Sequence, residues 1–437
     1  MNLRFSRYGR ASIEPSPVNR MMAAFAGSFR DGIDCNLGVG YVNEATIPVD
    51  GLSAAMQAVA AHPERYRQAF NYGTAEGSGN LIASLRRFLS RRFDAATLDR
   101  NRLIAGPCGA TSLLGALSDV LEPGVVVTAD PTYYIYSDAL ERKGFEVLAI
   151  PEDCDGIDLD ALVNRLSASP GLAERIAFFY VVTVNNPSCT ILSNERRRAV
   201  LDFASRLSRE LGRPVPVIYD IAYELLLHDP GREPFVSVLP EDSLGIAYEI
   251  GTLSKVLAPA LRVGYIFGPD GPLMDVLAQW ATDAGLGGPL FVQEMASYLL
   301  DCRIDNQLTA VNSGYRAKAV AVREGIGREL GPYLADCRGG SAGFYYYLTF
   351  RDIETHPESP FFRYLTRTTG DVAADGPAHD PLPRVIYIPG VYCVHPKGDL
   401  AQLGRRQLRL SYGFESPDRI LSALALMRQA AEYAVRR

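Results

Sequence analysis
The chain has 437 residues, 47% hydrophobic and 22% charged, enough for one large domain and a smaller companion, each with a buried core. Its 44 basic and 50 acidic residues are interspersed and give a net charge of −6, so no basic stripe offers itself to nucleic acid or anionic lipid. The longest apolar runs, such as 176–184, fall far short of the roughly 20 residues that cross a bilayer, and the N-terminus lacks the pattern of a secretory signal. A cytoplasmic protein acting on small molecules, without nucleic-acid or membrane partners, is expected.

In chain order, the first informative segment is Asn36-Leu37-Gly38-Val39-Gly40. It has no third glycine opening a helix, so it is not a dinucleotide-binding fingerprint. Asn71-Tyr72-Gly73-Thr74-Ala75-Glu76-Gly77 follows. From about residue 100 to 270, short apolar runs alternate with helical stretches, the order of parallel strands joined by crossover helices. Strands are expected over 102–105, 125–129, 146–150, 177–184, 215–220, 245–251 and 263–267, and helices over 111–121 and 195–210. This is a doubly wound α/β pattern. After about residue 300 it changes to a long helical stretch, Gly343-Phe344-Tyr345-Tyr346-Tyr347-Leu348, strand-like runs over 385–388 and 408–411, and a final helix, an α+β pattern. The Gly-, Pro- and Asp-rich stretch 369–383 reads as a loop. The expected organisation is an N-terminal arm joining the small domain (1–50), a large α/β domain (51–300) and a small α+β domain (301–437).

Seven cysteines (Cys35, Cys108, Cys154, Cys189, Cys302, Cys337, Cys393) are an odd number without CxxC spacing, so mostly reduced core thiols are expected. His62, His228, His356, His379 and His395 show no ligand spacing, and no metal is expected.

The chemistry-bearing segments sit at the ends of the expected strands. Lys255, within Thr252-Leu253-Ser254-Lys255, follows an apolar strand beside small hydroxyl residues, where an amine can be desolvated and attack a carbonyl. Arg262-Val263-Gly264-Tyr265 comes shortly after it. Gly109-Ala110-Thr111 lies between a strand and a helix, where small residues let backbone N–H groups approach a phosphate. Asp130-Pro131-Thr132-Tyr133-Tyr134, Asn185-Asn186-Pro187-Ser188 and Tyr219-Asp220-Ile221-Ala222-Tyr223 each end a strand, and Leu408-Arg409-Leu410-Ser411-Tyr412 places an Arg in an apolar strand. Taken singly, each has a plain structural reading: a surface Lys, a helix start, a core Tyr, an Asx turn, a solvated Arg.

Taken together and in this order, over about residues 36–412, these segments resemble the class I/II aminotransferases of fold type I. The resemblance implies pyridoxal 5'-phosphate held as a Schiff base on Lys255, which then moves the proton between substrate Cα and cofactor C4'. It implies that Thr252, Ser254 and Arg262, with Gly109, Ala110 and Thr111, bind the phosphate, and that Tyr133 stacks on the pyridine ring. Asp220 would face the ring nitrogen and keep it protonated; Tyr223 and Asn186 would bond to the ring's 3'-oxygen. Arg409 would grip the substrate α-carboxylate in a pocket lined by Gly38. Tyr72 would reach the phosphate of a neighbouring subunit, making a homodimer with shared sites.

Three positions depart from the family pattern: Cys189 replaces a Gly, Ile221 a Glu, and Ile82 an Arg. The expected function is amino-group transfer between an L-amino acid and a 2-oxo acid. The alternative is a related lyase or cyclase acting on a modified amino acid in a biosynthetic pathway. A third class, an effector-binding domain like that of some transcription regulators, is disfavoured because the family's N-terminal region begins almost at the first residue. The substrate side chain is not legible; Tyr345, Tyr346 and Tyr347 are read either as pocket wall or as sheet core.

Overall fold
The computed structural model describes residues 3–377 and 379–436. Its central sheet has eight strands in the spatial order Asn101–Ala105, Gly264–Pro269, Ala247–Thr252, Val217–Asp220, Ile176–Val182, Val125–Asp130, Glu146–Asp153, Gly156–Ile157. Alternate residues of these strands feed two separate apolar layers. Val126, Phe178, Ile218 and Ile250 pack with Leu113 and Leu117, whereas Val125, Phe179, Val217 and Tyr219 pack with Val200 and Leu201. Helices Gly109–Val120 and Asn194–Leu211 therefore cover opposite faces, and both faces must be apolar. That is why these strands read as continuous hydrophobic runs.

The inner strands pair in parallel, as their crossover helices require. The strand expected over 263–267 is present as Gly264–Pro269 but runs antiparallel to both neighbours. The link from Thr252 to Gly264 contains only the 3-10 turn Pro259–Leu261, too short for a crossover helix. Fold class is otherwise as expected: a doubly wound, mostly parallel sheet.

A second, antiparallel sheet has the order Leu334–Gly339, Tyr345–Phe350, Gln407–Ser411, Ile388–Pro389. The 27-residue helix Ile304–Leu330 leads into it. The single strand expected over 385–388 is split in two: Val385–Ile386 pairs in parallel with Cys35–Asn36, and Ile388–Pro389 pairs with Gln407–Ser411. Tyr387 lies between the halves, buried, its hydroxyl donating to the Thr355 carbonyl at 2.7 Å. The N-terminal segment is thereby tied to the C-terminal sheet. The expected loop 369–383 carries a short helix, Val372–Asp375, because Asp371 caps it by accepting from Ala373 N–H. The cysteines are all unpaired, but only Cys35, Cys189 and Cys393 are core thiols. Cys108, Cys154 and Cys302 are exposed at a helix start, a hairpin turn and a helix end, places where backbone geometry rather than burial sets the position.

Candidate active site
The parallel strands of the main sheet deliver their C-terminal ends to one edge, where ligand crevices form in open α/β sheets. A cavity of about 270 Å³ opens there. Of the residues singled out in the sequence, Ala110, Thr111, Tyr133, Asn186, Asp220, Tyr223, Thr252, Ser254, Lys255, Arg262 and Arg409 line it. Gly38, Gly109 and Tyr72 do not.

Lys255 extends into the cavity, its Nζ 3.4 Å from the Gly40 carbonyl and 5.4 Å from the centre of the Tyr223 ring. Burial, and then the positive charges of Arg409 and Arg262, lower its pKa from 10.5 to about 8, with Asp220 opposing. Asp220 closes the strand Val217–Asp220 and is buried. Its Oδ2 accepts from the Tyr180 hydroxyl at 2.8 Å and its Oδ1 from Ala222 N–H at 3.0 Å. Burial raises the Asp220 carboxyl above its ordinary value, while these two donors pull it back. It is the single acid on the cavity wall.

One wall is a cradle for a small dianion. Gly109 has φ +68° and opens helix Gly109–Val120, whose N-cap residue Cys108 makes no side-chain cap. The first amides of the helix are left to a ligand, with Ala110 and Thr111 facing the cavity. A Cβ on Gly109 would stand 2.9 Å from Arg262 Nη2, and one on Gly264 would stand 2.2 Å from Ala110 N, so both glycines are needed for the close approach. Arg262 is itself in the left-handed region at φ +51° and is steadied by the carbonyls of Pro259 and Cys108, both at 3.2 Å. Thr252 Oγ1 is tied into the corner, 2.9 Å from both Ser254 Oγ and the Val263 carbonyl.

Arg409, buried at 2% exposure on the strand Gln407–Ser411, spans the two sheets. It donates to Asn186 Oδ1 at 2.9 Å and to the Gly38 carbonyl, and its Cζ lies 4.3 Å over the Tyr345 ring. Its Nε has no partner, so a buried donor is left over in this part of the site. Gly38 thus serves through its carbonyl, and the glycine that faces the cavity is Gly40, whose Cβ would stand 2.8 Å from the Tyr345 hydroxyl. Tyr345 is a wall residue and bonds Tyr223 hydroxyl to hydroxyl at 3.1 Å, whereas Tyr346 and Tyr347 are buried elsewhere.

The loop that carries Asn186 rests on Glu152. This buried carboxylate accepts from Asn185 Nδ2 and Thr190 Oγ1, both at 2.8 Å, and from Arg338 at 3.2 Å. Sequence reasoning missed Glu152, Tyr180 and Gly40. Strand alternation from Asp220 and its neighbours could have found Tyr180; nothing local marks Glu152. Tyr72 is 78% exposed and outside the cavity, beside Phe70, which is 76% exposed and stacks on Phe291 at 5.5 Å. The one group of close metal-ligand atoms among the described residues, Asp153, Cys154 and Asp155, also lies away from the cavity wall.

The fold is that of the aminotransferase structures: a multiple substrate aminotransferase from Thermococcus profundus superposes with a TM-score of 0.83 at 19% identity, over 99% of this chain and 98% of that one. The family model for aminotransferase class I and II matches residues 36–402, and the chain belongs to that family. Among curated relatives, it is 27% identical over 202 residues to aromatic-amino-acid aminotransferase 1 of Thermococcus litoralis, 46% of either chain. It is also 24% identical over 369 residues to the uncharacterized HTH-type transcriptional regulator YisV of Bacillus subtilis, covering 84% of this chain and 71% of that one. The first of these matches thus spans about half the relative's length.

Proposed function
We propose that this protein is a pyridoxal 5'-phosphate-dependent aminotransferase that moves an amino group between an L-amino acid and a 2-oxo acid, with Lys255 as the cofactor's covalent anchor. The carrying observation is one cavity that holds a desolvated amine, a single buried carboxylate and two guanidinium groups from different elements. The donor set fits the cofactor. Arg262, Ser254, Thr252 and the amides at Gly109, Ala110 and Thr111 suit a phosphate dianion; Tyr133 offers a ring to stack on; Tyr223 and Asn186 offer polar groups to a ring oxygen. When bound, the cofactor supplies a carbonyl for the incoming amine and a cationic ring that withdraws electrons. Asp220 holds negative charge toward the ring nitrogen. Arg409, with its unused Nε, binds and orients the substrate carboxylate. Lys255, neutral above about pH 8, takes and returns the proton at the substrate Cα.

In this reading 51–300 carries the cofactor, and 301–437 with the arm 1–50 supplies Arg409 and Gly38. The active unit is a homodimer in which Tyr72 reaches the partner's phosphate; its exposure beside Phe70 supports an apolar contact surface. A cytoplasmic setting is supported by seven unpaired thiols. No helix among the described residues is long and apolar enough to cross a membrane. The relatives named as regulators make ligand sensing the second reading, since one of them matches 84% of this chain.

Borohydride reduction and peptide mapping should put the cofactor adduct on Lys255. With the best amino acid and no acceptor, the protein should release one equivalent of 2-oxo acid per site and stop. Many turnovers without acceptor would replace transfer by elimination or ring closure, and an adduct with no oxo acid from any donor would favour sensing.

A further inference from the structure
Tyr180 and Val182 occupy the same face of the strand Ile176–Val182, and in the parallel register Val182 pairs with Asp220. The Tyr180 side chain is thereby carried along the sheet to the one buried acid of the cavity. Tyr180 is 1% exposed, and its hydroxyl donates to Asp220 Oδ2 at 2.8 Å. Its ring packs edge-on against Tyr136, with centroids 4.7 Å apart. The other carboxylate oxygen takes the Ala222 N–H at 3.0 Å. Each oxygen therefore has one donor and lone-pair room for another.

We propose that Tyr180 is a positioning residue acting through Asp220: its hydroxyl, donating to Oδ2, holds the carboxylate in its charged form and so keeps the shared proton on the ring nitrogen of the bound cofactor. The inference rests on the reading that the cavity binds pyridoxal phosphate. Burial alone drives Asp220 toward its neutral form, which would take the proton from a pyridine nitrogen. A hydrogen bond to the charged form opposes this. Burial and the neighbouring Asp220 charge both push the Tyr180 phenol far above its ordinary value, so it remains a neutral donor. The step at stake is the transfer of one proton along the hydrogen bond between ring nitrogen and Asp220, with no other bond changed.

The test uses holoenzyme carrying a cofactor isotopically labelled at its ring nitrogen, read by the nitrogen NMR shift, which separates protonated from unprotonated pyridine directly. In the wild type the signal should lie in the protonated range. Tyr180→Phe, which keeps the ring against Tyr136, should move it toward the unprotonated range and move the cofactor's visible absorbance with it. Replacing Tyr180 with a ring-fluorinated tyrosine, a stronger donor of nearly the same shape, should leave the signal fully protonated, so an effect of the Phe variant cannot be put down to packing. An unchanged shift in Tyr180→Phe, or a fluorinated protein that behaves like the Phe variant, overturns the assignment. Adduct mapping at Lys255 does not depend on Tyr180, so its failure would remove the cofactor reading, whereas a correct adduct with an unmoved nitrogen signal would remove the role of Tyr180 alone.

Discussion

The state of the Lys255 amine is the most quantitative consequence of the site. An ordinary lysine at 10.5 is neutral at pH 7 in about 3 molecules in 10,000, whereas one at about 8 is neutral in about 1 in 10. The reactive fraction rises about 300-fold, equivalent to about 3 kcal/mol of differential interaction. The sign follows from the causes: burial penalises the ammonium first, Arg409 and Arg262 then repel it, and Asp220 alone favours it. The rate at which the cofactor-free protein captures pyridoxal phosphate should therefore climb tenfold per pH unit below about 8 and level off above it. Arg409→Met, which removes a cation, should move the break upward; Asp220→Asn, which removes the anion, should move it downward. Stopped-flow absorbance across pH 6 to 10.5, corrected for the titration of the free aldehyde, measures the profile. A rate that keeps climbing to the highest pH, as for a solvated lysine, would refute the argument, and so would breaks that move in the opposite directions.

Two further outcomes follow from residues that hold the substrate and the partner. Arg409→Ala removes a buried cation together with its bonds to Asn186 and Gly38; kcat/KM for the best donor should fall by about 3–5 kcal/mol in transition-state binding, while cofactor affinity measured by fluorescence changes far less. Mixing inactive Lys255→Ala protein with an inactive Tyr72→Ala protein should restore activity, because one site of each mixed dimer carries neither lesion; no recovery after proven subunit exchange would count against a shared site.

How far the sequence could be read depended on whether neighbours in space were also neighbours along the chain. The cavity residues Ala110, Thr111, Tyr133, Asn186, Asp220 and Lys255 each sit at or shortly beyond the C-terminal end of a strand, so the strand pattern located them, while only their joint order, resembling the family, lifted each above its plain structural reading. Strand direction was not legible at Gly264–Pro269, because an apolar run has the same period in either direction and only the short link fixes it. Glu152 was invisible for a different reason. It lies inside a strand, and its partners Asn185, Thr190 and Arg338 stand 33, 38 and 186 residues away. Gly38 and Gly40 were distinguishable only once the tyrosine across the cavity was known.

The departures from the family pattern fall under the same physical logic, and they bear on which chemistry the cavity runs. Cys189 stands in the left-handed region at φ +52°, where a side chain costs of order 1–2 kcal/mol of backbone strain and glycine does not. Its thiol turns away from the cavity toward the backbone of Gly343, where a Cβ would meet Sγ at 2.9 Å, and it does not line the cavity wall. Ile221 is buried at 4% exposure behind that wall, and Ile82 packs against the core from helix Gly79–Leu89. None of the three adds an acid, a base or bulk beside Lys255. The loop geometry at Cys189 is still the one a glycine would adopt, held by the Cys189 N–H to Asn185 carbonyl bond at 2.6 Å and by the Glu152 network beneath it. The strain at Cys189 is therefore borne by the packing of the loop, and Asn186 keeps its bond to Arg409. Because these substitutions leave the proton-handling groups as they are, the choice between amino transfer and elimination rests with the substrate's own leaving group and with how Lys255 returns its proton.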